Sequence, residues 1–269
     1  MKKIDIVSTD LDGTLLTSDM DVSAYTASVL NQLIDSGVQV VANTGRSHMI
    51  LPEALSKINF NYIICSNGGS IYDVKNDTIV FSHTLDKKTA LDILITTKDL
   101  PIAPTITTTK HLYSPIQFKK TFEQAKTPRE RDAHRIYLEN IFEVLDYPED
   151  IQKIHFVFEE GQKEAYENIL YQLKEVAITS SNWDNIEISS NKASKGEMIH
   201  TLARLLNIEN PMILAYGDNQ NDLSQLQYAS HFTAMKNASE ELLKHAQHIT
   251  KFTNNEDGVA KDLAQHFNL

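Results

Sequence analysis

A single cysteine, Cys65, occurs in the 269 residues, so no disulfide can form within the chain. It closes the apolar run Tyr62-Ile63-Ile64-Cys65. Reactive thiols occupy electropositive, part-exposed places, so Cys65 is expected to be a buried core thiol. The ten histidines are scattered and form no zinc-type grouping with cysteine or with one another. His48 is expected to be a solvated helix residue. No run approaches the roughly 18–20 apolar residues that cross a bilayer. The opening MKKIDIVSTD carries a lysine pair but too few apolar residues behind it for a secretory leader, so a cytoplasmic location is expected. Positive charge is also short. Lys and Arg number 25 against 36 Asp and Glu, a net charge of −11, with no basic run. Such a surface repels a nucleic-acid backbone on average, while a local site can still take a small anion. There is no GxxxxGK[ST] loop, which excludes a P-loop nucleotide enzyme. No internal repeat or low-complexity tract occurs.

What remains is ordinary globular composition, 41% hydrophobic and 23% charged. The length holds two domains or one large one and needs no staples. Four short apolar runs stand out: Ile4–Val7, Val38–Val41, Tyr62–Cys65 and Met212–Ala215. Each is too short for a buried helix and rich enough in branched aliphatics for a buried strand. Helical spacings of three and four lie between some of them, in Thr26-Val29-Leu30-Leu33-Ile34 and Ile199-Leu202-Ala203-Leu206. Continuous apolar strands alternating with amphipathic helices predict a Rossmann-like parallel sheet covered on both faces. The middle of the chain differs. Helical stretches at Thr89–Leu100 and Glu164–Leu173 accompany the alternating strand Lys153-Ile154-His155-Phe156-Val157-Phe158. Alternation predicts an antiparallel sheet with one open face. The expected fold class is therefore α/β, a parallel-sheet core of residues 1–83 and 191–269, with an α+β domain, residues 84–190, inserted in it. Pro101, Pro104, Pro115 and Pro128 punctuate the insert.

Each apolar run is followed by unusual polar residues. They are Ser8-Thr9-Asp10-Leu11-Asp12-Gly13-Thr14, Ala42-Asn43-Thr44-Gly45-Arg46, Ser66-Asn67-Gly68-Gly69 and Tyr216-Gly217-Asp218-Asn219-Gln220-Asn221-Asp222. Sites in open α/β sheets lie beyond the carboxyl ends of the strands, so four segments deliver polar groups to one edge. Asp10 and Asp12 stand two residues apart and would repel unless a cation joined them. Alone, one such Asp reads as a helix cap or Asx-turn. Asp218 and Asp222 change that reading, because several carboxylates converging on one edge want a hard cation such as Mg²⁺. A metal beside a nucleophilic carboxylate suits phosphoryl transfer. Thr44 and the Gly45 backbone are candidate donors to a phosphate. Lys195 opens a predicted helix, where a cation is unhelpful to the helix dipole. It reads either as a surface lysine or as a functional one.

At these residues the chain resembles the haloacid dehalogenase-like phosphatases, of the Cof type with a large α/β cap. Asp10-Leu11-Asp12-Gly13-Thr14-Leu15, Thr44-Gly45-Arg46, Lys195-Gly196 and Gly217-Asp218-Asn219-Gln220-Asn221-Asp222 resemble the family's four motifs in order. Ser66–Gly69, Ala234-Met235-Lys236-Asn237-Ala238 and Asn255-Glu256-Asp257-Gly258-Val259 resemble further signatures of the type. The insert matches the family's cap by length and position. The resemblance implies that Asp10 is the nucleophile of an aspartyl-phosphate mechanism. It implies that Asp12 protonates the leaving group, then activates water, and lends its backbone carbonyl to Mg²⁺. Asp218 would ligate Mg²⁺, with Asp222 supporting the metal site. Leu11 and Gly45 backbone groups, Thr44, Lys195 and Asn221 would hold the phosphate. The cap would sit over the site and select a small phosphorylated metabolite, a sugar phosphate or similar. Asn43 stands where small or apolar residues are commoner, which could alter the pocket floor. Two alternatives remain open: a phosphotransferase or phosphomutase on the same scaffold, and a non-catalytic sensor of a phosphorylated ligand. The expected assembly is a monomer or weak homo-oligomer.

Overall fold

A computed structural model describes residues 4–120, 135–159, 161–180 and 184–269. Met1, Lys2, Lys3 and Pro128 lie outside the described residues. The strands run in chain order β1 (Ile6–Thr9), β2 (Gln39–Asn43), β3 (Tyr62–Cys65), β4 (Ser70–Asp73) and β5 (Thr78–Ser82). Then follow β6 (Pro104–Thr108), β7 (Leu112–Pro115), β8 (Arg135–Leu138), β9 (Ile151–Val157), β10 (Val176–Thr179) and β11 (Asn185–Ser190). The chain closes with β12 (Ile213–Gly217), β13 (His231–Ala234) and β14 (His248–Ile249). The helices are α1 (Ala24–Asp35), α2 (Lys87–Thr97), α3 (Lys163–Leu170), α4 (Lys195–Leu205), α5 (Glu240–His245) and α6 (Gly258–Phe267). The residues form two compact units: Met1–Phe81 with Ser194–Leu269, and Ser82–Ala193.

The first unit is built on a sheet of order β14-β13-β12-β1-β2-β3-β4-β5. From β14 to β3 all neighbours are parallel, and β4 turns antiparallel to β3. The parallel order follows from the crossovers. Helix α1 starts at Ser23, whose hydroxyl accepts from the Thr26 N–H, and buries Val29, Leu30 and Leu33. Helix α4 starts at Ser194 and buries Met198, Ile199 and Leu202. Apolar residues of both faces are buried, as a covered parallel sheet requires. The strands run later than their apolar runs. β1 ends at Thr9 rather than Val7, β2 at Asn43 rather than Val41, and β12 at Gly217 rather than Ala215. Polar residues stay in the sheet because they find buried partners. Ser8 Oγ, for instance, donates to Gln225 Oε1 at 2.9 Å.

The second unit carries a sheet of order β10-β11-β9-β6-β7-β8. Two expectations need correction here. First, β7 and β8 are parallel, although the other pairs are antiparallel. Second, the polar face is not open. Lys153, Glu187, Thr105 and Ser114 are all buried, opposite the apolar face that carries Ile154, Phe156, Ile186 and Ile188. Their polar groups satisfy one another: Lys153 pairs with Glu187, and Arg135 Nη1 donates to Thr105 Oγ1 and Ser114 Oγ. Alternation in sequence reports two unlike faces and does not say that the polar one meets water. Helix α2 begins two residues before the expected stretch, because Asp86 caps it, and ends at Thr97. Pro104 opens β6 and Pro115 ends β7.

Candidate active site

Asp10 follows β1, at the centre of the parallel sheet, and its side chain is buried. Its Oδ1 accepts a hydrogen bond from Lys195 Nζ at 2.6 Å. Lys195 is the first residue of α4 and is wholly buried, which overturns its surface reading. The same ammonium donates to Asp222 Oδ1 at 2.8 Å. Asp222 has every lone pair in use, since Gln225 Nε2 also meets Oδ1 and the backbone N–H groups of Asp218 and Asn219 meet Oδ2. Asp218 follows β12 and receives Thr14 Oγ1 on Oδ1 at 3.0 Å. Oxygens of Asp10, Asp218 and Asp222 all lie within 4.8 Å of one another.

The loop after β1 is shaped by this cluster. Gly13 has φ +77°, and a Cβ there would lie 2.3 Å from Asp218 Oδ2. Only glycine allows the loop to pass the Asp218 carboxylate at that distance. Asp12, two residues beyond Asp10, turns its carboxylate away. Its two oxygens each accept from Arg46, through Nε and Nη2, at 2.7 Å. Thr44 follows β2 and is buried. Its Oγ1 accepts from the Arg46 N–H at 3.1 Å, which leaves the hydroxyl proton to donate elsewhere. After β3, Ser66 and Asn67 take positive φ, at 55° and 56°. Asn67 Oδ1 then accepts from Asn221 Nδ2 at 3.1 Å.

Residues 7–263 match the family described as haloacid dehalogenase-like hydrolase. The chain belongs to the haloacid dehalogenase-like hydrolases. It is an enzyme, a phosphatase of that family. It is similar to "Phosphatase YwpJ" of Bacillus subtilis, at 30% identity over 95% of this chain and 97% of the relative. It is also similar to "5-amino-6-(5-phospho-D-ribitylamino)uracil phosphatase YwtE" of the same organism, at 30% identity over 94% and 95%. A solved haloacid dehalogenase-like hydrolase from B. subtilis superposes with a TM-score of 0.83 at 29% identity, covering 97% of this chain and 99% of that one. No helix among the described residues is long and apolar enough to cross a membrane.

The electrostatics of this hydrolase site follow from its burial. Three carboxylates gather near one ammonium, which bonds Asp10 and Asp222, so two negative charges stand unbalanced when all three are ionised. Burial, with the neighbouring carboxylates, pushes Asp10 well above the ordinary carboxylate range despite Lys195. Asp218 is pushed up to about 7, by burial first and by Asp222 second. Burial alone would lower Lys195, but Asp10 and Asp222 outweigh it and hold the ammonium charged. A divalent cation fits this donor set. It would restore neutrality, and hard oxygen ligands are what Mg²⁺ takes. Of the three carboxylates, Asp10 and Asp218 could hold it. Asp222, fully hydrogen-bonded, holds Lys195 and the Asp218 backbone in position.

Asp10, Lys195, Asp218 and Asp222 thus meet directly. Asp12 joins Arg46, and Asn221 joins Asn67. Leu11 has its side chain in the core, so only its backbone faces this chemistry. Gly45 sits between Thr44 and Arg46 on the loop after β2. Cys65 is buried, as expected. His48 is not the solvated helix residue expected of it. It opens a short 3-10 turn, is half-buried, and stacks on Tyr72 at 5.3 Å between ring centroids. Burial lowers its pKa. The aromatic neighbour, far in sequence, decides this. Gln225 was not read from the sequence as part of the site, and Ser8 and Thr14, named in the segment after Val7, had no role assigned; all three are buried. Asn43, singled out in the sequence for the pocket floor, joins the same buried network. Its Nδ2 donates to the Lys195 carbonyl at 3.1 Å, while Gln225 links Ser8 to Asp222. The spacing of three between Asp222 and Gln225, one turn of the 3-10 segment Gln220–Gln227, was the available signal.

Proposed function

We propose that this phosphatase is Mg²⁺-dependent and removes phosphate from small phosphorylated metabolites through an aspartyl-phosphate on Asp10. The observation that carries this reading is the Asp10–Lys195 contact of 2.6 Å inside a buried carboxylate cluster with two charges in excess. Lys195 orients Asp10 Oδ1 for attack and opposes the burial that raises its pKa. Thr44 Oγ1, the Leu11 and Gly45 N–H groups and Asn221 are the donors assigned to the phosphate oxygens. Asp10 attacks phosphorus, the phosphorus–oxygen bond to the leaving group breaks, and Asp12 gives that oxygen a proton. Asp12 then takes a proton from water as the water attacks the aspartyl-phosphate, which releases phosphate and frees Asp10. Mg²⁺, which Asp10 and Asp218 would hold, would supply charge neutralisation for the transferring phosphoryl group. Two relatives bear the name phosphatase, and one is named for a phosphorylated ribitylaminouracil, a small polyol phosphate. The family resemblance gives substrate selection to the insert, here the unit Ser82–Ala193.

The test is phosphate release from a panel of sugar and polyol phosphates with Mg²⁺, with EDTA, and with Asp10→Asn. Release should need the metal and vanish in the variant, whose amide is a poor nucleophile. Full turnover after EDTA, or a phosphoenzyme trapped on another residue, would overturn the reading.

A further inference from the structure

Two segments singled out in the sequence, Ala234–Ala238 and Asn255–Val259, have no part in the chemistry above. They meet at the loop that carries Asp12. This loop lies within residues 10–23, which join β1 to α1 and belong to no named strand. Its backbone groups are taken up by asparagine side chains from the far end of the chain. Asn237 Nδ2 donates to the Gly13 carbonyl at 2.7 Å, and Asn254 Nδ2 donates to the Leu16 carbonyl at 2.8 Å. Asn255 Oδ1 accepts from the Ser18 N–H at 2.8 Å, and its Nδ2 donates to Ser18 Oγ. Asn237 is also tied to the residue just before the second segment, since its Oδ1 accepts from the Asn254 N–H at 3.0 Å. A primary amide suits this place because it donates and accepts at once.

The clasp is anchored on the metal side of the site. The Met235 N–H donates to the Gly217 carbonyl and the Ser239 N–H to the Asp218 carbonyl, at 2.9 and 2.8 Å. Asn237 therefore rides on a segment fixed at both ends to the close of β12, and from there it holds Gly13. Gly13 lies between Asp12 and Thr14, and Thr14 touches Asp218. We propose that Asn237, backed by Asn254, is a positioning residue for the reaction. It fixes the Gly13 peptide against the Asp218 loop and so sets where the Asp12 carboxyl stands. The proposal rests on the reading of Asp12 as the proton donor. Asn237 is exposed, so its replacement opens no cavity in the core.

The test is Asn237→Ala in the full chain, with two readouts. The first is amide hydrogen exchange at Thr14, Leu15 and Leu16, which needs no turnover. Loss of the clasp should speed it by about 5-fold or more, the value of one good hydrogen bond. The second is single-turnover phosphoenzyme formation with a sugar phosphate and with nitrophenyl phosphate. The sugar phosphate, whose leaving alkoxide needs the proton, should lose about 10-fold more than the nitrophenyl ester, with melting temperature little changed. Unchanged exchange overturns the proposal. So does an equal loss with both substrates while Asp12→Asn remains selective between them. If Asp12→Asn is itself unselective, the reading of Asp12 has failed, and exchange alone decides whether Asn237 positions the loop.

Discussion

Arg46 grips both carboxylate oxygens of Asp12, Nε on one and Nη2 on the other, each at 2.7 Å. The pair is part exposed, with side-chain exposures of 25% and 44%. An ion pair so placed contributes at most about 1 kcal/mol to stability. Its geometry matters more, because the fork fixes the plane of the carboxyl that is to face a leaving group. Asp12→Asn should slow the first half-reaction with a sugar phosphate by about 10²–10⁴-fold and with nitrophenyl phosphate far less. Arg46→Met should show the same substrate order with a smaller loss and a nearly unchanged melting temperature. Single-turnover kinetics with both esters decide this. Equal slowing of both by Asp12→Asn would reduce Asp12 to a loop residue.

Lys195 is the cation that the buried carboxylates share. Lys195→Met leaves Asp10 and Asp222 without it, and a buried charge stripped of its partner costs about 3–5 kcal/mol. The variant should melt well below the parent at pH 8. The deficit should shrink at pH 5, where protonation relieves the carboxylates. Thermal melts at the two pH values test this, and an equal deficit at both would show that charge is not the cause.

The raised pKa of Asp218, about 7, has a signed consequence for the metal-free protein. The folded state holds a proton there that the unfolded state has already released. This group's contribution is therefore fully present below the ordinary carboxylate range and is lost as pH rises through about 7. Mg²⁺ competes with that proton. The rise in melting temperature caused by Mg²⁺ should be small at pH 5.5 and large at pH 8, in the manner of a ligand that binds only the folded, ionised site. Differential scanning fluorimetry with and without Mg²⁺ measures it, and a pH-independent shift would contradict the assignment of the metal to these carboxylates.

Gly13→Ala should disable the metal side while sparing the core. The added Cβ would sit 2.3 Å from Asp218 Oδ2, on a backbone at φ +77°. We expect loss of Mg²⁺-induced stabilisation and of phosphate release, with circular dichroism unchanged. Retained Mg²⁺ stabilisation would show that the loop and Asp218 move apart at little cost.

Local sequence determined much of this protein. Runs such as Tyr62–Cys65, flanked by Gly- and Asp-rich turns, specify buried strands because a short apolar stretch has nowhere else to hide. The helix face Val29-Leu30-Leu33 and the cap Ser23 likewise follow from spacing and local hydrogen bonding. The ordered polar segments after β1, β2, β3 and β12 pointed to one edge of one sheet. The tertiary structure alone decided which polar side chains meet. Lys195 reads as an exposed first-turn lysine until packing brings Asp10 and Asp222 from other segments to within 3 Å of it. The polar face of the second sheet reads as solvated until Glu187 is found beside Lys153. Asn237 reads as a loop residue until Gly13, 224 positions away, is found under its amide. Periodicity reports how a segment divides between apolar and polar sides. The partner that satisfies a polar group comes from another segment, and hydrogen-bond partners distant along the chain leave no trace in local pattern.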